Sequence, residues 1–263
     1  MHSSYHASFW IALLVGIASG SVGPFILLRR MALVGDALSH VALPGIALAL
    51  LYGADPFYGV IVFLTVAAFL IYWLEGMSRI PPDAIVGILF TASLAVGILI
   101  IPNGDIIESL FGAFPVLSLP FLLVILSIAS MLSVLCFLLA RRFLFLIVSP
   151  DLARVNGLGR KYDLALLLIF AMIVALGIKL VGTLLIGALT IIPAAVAKNV
   201  SRSMRGYLVL SAMLGGVTSV GGIWIADTLR LLPGPCIILF GVGLFLVSLV
   251  VGRKKSSVKV VAS

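Results

Sequence analysis

Nine long apolar runs follow one another along this chain, at residues 7–28, 36–53, 57–74, 84–101, 118–140, 163–179, 181–197, 207–226 and 235–252. No other feature constrains the fold as strongly. A helix needs about 20 apolar residues to cross a ~30 Å hydrocarbon layer, and a globular domain has no interior for nine such runs. Composition points the same way, with 63% hydrophobic residues, 10% charged residues and a mean hydropathy of +1.33. Soluble folds stay near ~45–50% apolar and ~25% charged because charge wets their surface. A cytosolic enzyme, a disulfide scaffold, a nucleic-acid binder and a disordered chain are thereby excluded. The runs are apolar all round rather than on alternate residues, so they are helices and not barrel strands. The expectation is an all-α, polytopic integral membrane helix bundle of eight or nine spans, forming one membrane domain over residues 1–263 in the cell membrane. The uncertainty of one span comes from 163–179 and 181–197, which almost nothing separates.

The net charge of +8 is distributed by side. With nine alternating spans and the N-terminus outside, only Lys179 and Arg230 of the 17 basic residues fall outside. Such a bias is the signature of cytoplasmic loops rather than of a nucleic-acid surface. Cys136 and Cys236 lie within apolar runs and read as free thiols, not as a disulfide framework. The first run is preceded by no basic stretch and is long for a signal-peptide core, so it reads as a retained span.

Most of the nine acids sit in loops or at span ends, where water or a neighbouring Arg satisfies them. Asp36 is different. It opens the segment Asp36-Ala37-Leu38-Ser39-His40-Val41-Ala42-Leu43-Pro44-Gly45, and His40 is the only histidine away from the N-terminal tail. A four-residue spacing stacks both side chains on one helix face, with Cβ atoms ~6 Å apart. Counted from Arg30 at ~1.5 Å per residue, the pair lies ~9 and ~15 Å into the membrane. A lone carboxylate at that depth costs about 3 kcal/mol. Beside a neutral imidazole it makes a mixed N/O donor pair suited to zinc, manganese or iron. Pro44-Gly45 is expected to break the helix and free carbonyls at the same depth. The alternative is that Asp36 caps the helix and His40 is a satisfied interior histidine. The spacing weighs the two readings equally. Two ligands under-coordinate a metal, so the metal reading predicts a two-fold dimer that brings Asp36 and His40 of each copy to one axis.

His2 and His6 share the spacing but read as solvated tail residues. Gly16 and Gly20 predict close helix packing. Ser149-Pro150 through Gly157-Leu158-Gly159 predicts a short helix bracketed by Pro and Gly, with Leu152, Val155 and Leu158 as its apolar edge. By itself such a helix lies on headgroups or fills a partner's groove. No G-x-x-x-x-G-K-[ST] loop occurs, so a nucleotide-driven motor has to be another polypeptide.

The run from Arg29-Arg30-Met31 through Gly35-Asp36 and Ser39-His40 to Leu43-Pro44-Gly45 strongly resembles the signature of the membrane permeases of ATP-binding-cassette importers for zinc, manganese and iron. The resemblance continues in Asp55-Pro56-Phe57-Tyr58, in Ser149-Pro150-Asp151-Leu152-Ala153 to Gly157, and in Lys179 through Pro193-Ala-Ala. It implies a homodimeric transport subunit, not itself an enzyme, with a cytoplasmic ATPase subunit, an extracytoplasmic metal-binding protein and no permanently bound cofactor. It implies that Asp36 and His40 contact the transported metal, and that Asp151, Ala153 and Gly157 form a coupling motif docked on the ATPase. The Leu-Pro-Gly ending is more similar to the manganese and iron members than to the zinc ones. The rival readings are a secondary transporter using Asp36 and His40 as a proton relay without an ATPase, and a membrane metalloenzyme. The second lacks the further acid/base and nucleophile it needs.

Overall fold

The structure, a computed structural model, describes residues 2–32, 34–78, 80–100, 119–156, 158–181 and 186–260. These residues form ten helices and no strand: α1 His2–Leu28, α2 Val34–Leu51, α3 Pro56–Met77, α4 Pro82–Ile100, α5 Leu119–Val148, α6 Pro150–Val155, α7 Lys161–Val181, α8 Ile186–Val200, α9 Met204–Leu229 and α10 Pro233–Val260. Among the described residues, seven helices are long and apolar enough to cross a membrane, and two shorter apolar stretches lie at Asp83–Gly97 and Ile186–Val200. The close pair is therefore two helices, α7 and α8, and Ile186 packs directly on Gly177.

Local chemistry sets the helix ends. The Asp55 carboxylate accepts from the Phe57 N–H at 2.8 Å and Pro56 is the first helical residue, so α3 starts with its orphan donors partly satisfied. Ser203 caps α9 in the same way, accepting from Gly206 N–H at 3.1 Å. Arg30 ends α1 in a left-handed conformation, with φ 60°, and turns the chain back into α2.

Three expectations are corrected. The residues ahead of the first apolar run continue the helix, which starts at His2. The helix expected over 118–140 runs on to Val148, carrying Arg141 and Arg142 with it. The reason is that Phe143 is fully buried, its ring edge-on to Phe25 at 5.4 Å, and this holds the extra turns. Nor do Pro44 and Gly45 break α2, which is continuous through both. A proline removes one N–H from the ladder without ending a membrane helix when neighbours take up the strain. Here Gly45 lets the α3 backbone at Gly59 approach closely and hold the helix just beyond the proline. Pro24 in α1 shows where a freed acceptor goes. It has no N–H for the Gly20 carbonyl, which instead accepts from Ser211 Oγ of α9 at 2.6 Å.

α1 packs against α5, α7, α8 and α9. It runs antiparallel to α9, with Gly16 against Gly215 and Gly20 against Ser211, as the small-residue spacing predicts. It runs parallel to α5, where Cys136 Sγ reaches Ser21 O at 3.4 Å. α2 lies among α3, α4, α7 and α8. Large apolar side chains such as Val66, Phe69 and Trp73 on α3 and Leu246, Val247 and Val250 on α10 face outward, the surface a lipid solvent requires.

Candidate metal pathway and coupling segment

The structure puts Asp36 and His40 on one helix, α2, in its first turns. Their depth is not that of a straight helix from Arg30, because residues 29–32 form a turn and α2 starts at Val34. Asp36 is exposed, while His40 is 8% exposed. The Asp36 carbonyl accepts from Ser39 Oγ at 2.6 Å, which tightens the first turn. The imidazole stands edge-on to Phe90 of α4, with centroids 5.1 Å apart at 71°. Among the described residues its Nδ1 is buried without a hydrogen-bond partner. An unpaired buried polar atom costs about 1–3 kcal/mol, so a donor or a metal reaching this nitrogen would be stabilising. Pro44 adds a second polar group at this level, since it has no N–H to offer the His40 carbonyl. A carboxylate, an imidazole and a released carbonyl therefore lie within one stretch of α2.

The start of α8 fixes the start of α2. A Cβ on Gly187 would lie 2.7 Å from the Asp36 backbone nitrogen, and one on Gly35 would lie 3.1 Å from the Gly187 Cα. The two helices meet backbone to backbone at the residue that carries the carboxylate. Among the described residues, no three His, Cys, Asp or Glu side chains gather within reach of one metal ion.

At the basic end of the bundle, α6 is the short helix expected from Pro150. Asp151 is exposed and Ala153 fully buried, whereas Gly157 lies outside the described residues. Leu152 and Val155 are 58% and 84% exposed and point away from the protein, whereas Leu158, expected on the same edge, lies past the end of the helix and is half-buried. The side chains of His2 and His6 lie outside the described residues as well.

Phe90, Gly187 and a charge cluster escaped the sequence reading. In the cluster, Arg29 Nη2 lies 3.0 Å from Glu75 Oε1 and 2.9 Å from Asp163 Oδ1, joining the ends of α1, α3 and α7. A signal existed: one base and two acids terminate three apolar runs on the same side.

The profile of the ABC 3 transport family matches residues 1–252. The chain belongs to this family. It is 35% identical over 250 residues to the manganese import system permease protein ScaB of Streptococcus parasanguinis, covering 93% of this chain and 89% of that one. It is 32% identical over 249 residues to the high-affinity zinc uptake system membrane protein ZnuB of Buchnera aphidicola, covering 91% and 95%. Among solved structures, PsaBC from Streptococcus pneumoniae in complex with Fab superposes with a TM-score of 0.80 at 32% identity, over 93% of this chain and 90% of that one. The ABC 3 family chain is thus a multi-pass transport permease of the plasma membrane, as its apolar helices require.

Proposed function

We propose that this ABC 3 family permease is the membrane subunit of an ATP-driven importer of divalent transition metal ions, manganese first, with zinc and iron as further cargo. Asp36 and His40 are its metal contacts. The observation that carries this reading is the buried, unpartnered Nδ1 of His40 one helical turn from the accessible Asp36 carboxylate. The relatives named for manganese import and zinc uptake support the class of cargo.

One chain supplies two side-chain donors, and a transition metal takes four or more. A second copy across a two-fold axis supplies the others. Two carboxylates against one divalent ion leave a site close to neutral, which makes its passage through the bilayer tolerable. Each neutral imidazole adds a nitrogen donor, and the carboxylates replace waters lost by the ion. An extracytoplasmic binding protein delivers the metal at the outer mouth. A cytoplasmic ATPase receives α6 through Asp151 and the segment reaching Gly157, while the buried Ala153 seats the helix on the permease. The outward-facing Leu152 and Val155 support such a docking helix. ATP binding and hydrolysis then alternate access to the metal from the two sides.

The test is manganese uptake with competing zinc and iron, on the native chain and on Asp36→Ala and His40→Ala, with and without the ATPase. Both substitutions are expected to abolish uptake while the ATPase still co-purifies. Uptake that persists without any ATPase would instead favour a secondary carrier, and uptake unaffected by Asp36→Ala would remove the metal site.

A further inference from the structure

The ends of α1, α3, α5 and α7 meet beside α6. Arg160, just before α7, donates from Nη2 to the Tyr72 carbonyl of α3 at 2.7 Å and lies over the Tyr72 ring at 4.5 Å, directly on Gly76. Tyr162 receives Arg142 of α5, whose Nη1 reaches its hydroxyl at 2.8 Å. Asp163 shares the Arg29 guanidinium with Glu75. Between this knot and Pro150 of α6 lies a cavity of about 350 Å³, with Leu146, Leu158 and Arg30 also on its walls. Arg160, Tyr162 and Asp163, around the start of α7, are thus tied to three other helices, and only residues 156–160 separate that start from α6.

Two turns further along, α7 makes another contact with the chain leading to Asp36. Phe170 is fully buried, and a Cβ on Gly35 would lie 3.2 Å from its Cζ. Asp163 and Phe170 are seven residues apart, ~10 Å along a helix. They hold Arg29 and Gly35, which flank the turn that delivers Asp36. A packed helix moves as a body, and contacts at both ends of a tight turn leave that turn little freedom to lag behind.

We propose that α7 is the lever that carries movement of α6 to Asp36, attached through the shared Arg29 guanidinium at its first turn and through Phe170 against Gly35 two turns on. Asp163, Arg29 and Phe170 are positioning residues; they do not touch the metal. The inference rests on the reading of α6 as the ATPase-docking helix. The cavity beside Pro150 gives α6 room to shift against the knot before α7 follows.

The experiment uses the complete complex of permease, ATPase and binding protein in proteoliposomes, with manganese uptake and phosphate release measured together. Asp163→Asn and Phe170→Leu are each expected to lower the ions moved per ATP about fivefold, within the usual size of a coupling energy. The ATPase should still co-purify at the native ratio and still hydrolyse ATP. Arg29→Glu should uncouple in the same way. Adding Glu75→Arg to it again leaves one guanidinium between two carboxylates, and should restore at least about half of the lost ratio. The lever is refuted if ions per ATP stay at the native value in both α7 variants with the complex intact, or if the charge exchange restores nothing. If Phe170→Leu fails to fold, Asp163→Asn and the exchange decide the matter alone. A native chain that retains no ATPase, or transports without one, removes the permease reading and the lever with it, a result distinct from uncoupling inside an intact complex.

Discussion

Gly187→Ala adds one methyl group and no charge, and tests whether the α8 backbone sets the position of Asp36. The new Cβ would lie 2.7 Å from the Asp36 nitrogen, 3.0 Å from its Cα and 3.1 Å from the Gly35 carbonyl carbon. All three are backbone atoms, so no side chain can swing aside. To reach the ~3.4 Å of ordinary contact, the start of α2 has to move by about 0.7 Å. The net cost in stability should stay within about 2 kcal/mol: overpacking costs about 1–3 kcal/mol, and alanine is a better helix former than glycine by ~1 kcal/mol. Metal ligands, by contrast, need their places within ~0.2 Å, and a misplacement near 1 Å lowers rates by up to ~100-fold. Manganese uptake should therefore fall at least about tenfold, while the variant elutes as a single detergent-solubilised species with its ATPase bound. Gly243→Ala in α10 is the control, because a Cβ there meets nothing within 4 Å. Uptake above about half the native rate in a well-assembled Gly187→Ala complex would mean that the meeting of α2 and α8 does not set the ligand geometry.

Four further outcomes follow from the same structure. Only a neutral imidazole binds a metal, so native uptake should decline as external pH is lowered through the histidine range; a flat profile from about pH 5.5 to 7.5 removes His40 as a ligand. Phe90→Ala takes away the ring edge against His40, and radiolabelled manganese transport should drop several-fold with ATPase binding unchanged. Cys136 and Cys236 are 1% and 6% exposed, so a small alkylating reagent should modify neither in the folded protein and both after denaturation, read by mass spectrometry. Ser211→Ala deletes the donor to Gly20 and should cost only about 0.6 kcal/mol, the usual worth of a hydrogen bond between membrane helices, measured as a small shift in thermal unfolding.

How much of the molecule was legible in the sequence depended on the range of the interaction involved. Helix existence is local. In lipid every backbone group must be satisfied within its own helix, so the apolar runs nearly mark the elements, and even the close pair at 181 resolves into α7 and α8. The cap at Asp55, the short helix after Ser149 and the Gly16/Gly20 contact were equally readable, because each is set by a few adjacent residues. So was the shared face of Asp36 and His40, which helical periodicity alone dictates.

Where helices stop and which of them touch are decided by partners distant in the chain. The Arg141–Arg142 pair reads as a loop until Phe25 buries Phe143 beyond it. The Pro44-Gly45 pair reads as a break until Gly59 of α3 packs on Gly45 and supports the helix just beyond the proline. Glu75 and Asp163 read as solvated interfacial acids, yet one guanidinium from α1 joins them. Periodicity and hydropathy report the preference of a segment for helix and for lipid, and both are properties of neighbours along the chain. The approach of Gly187 to Asp36, the ring of Phe90 on His40 and the double hold of α7 on the turn before Asp36 arise only when helices pack. Packing depends on side-chain shapes that meet across the bundle, and no single stretch of sequence contains them.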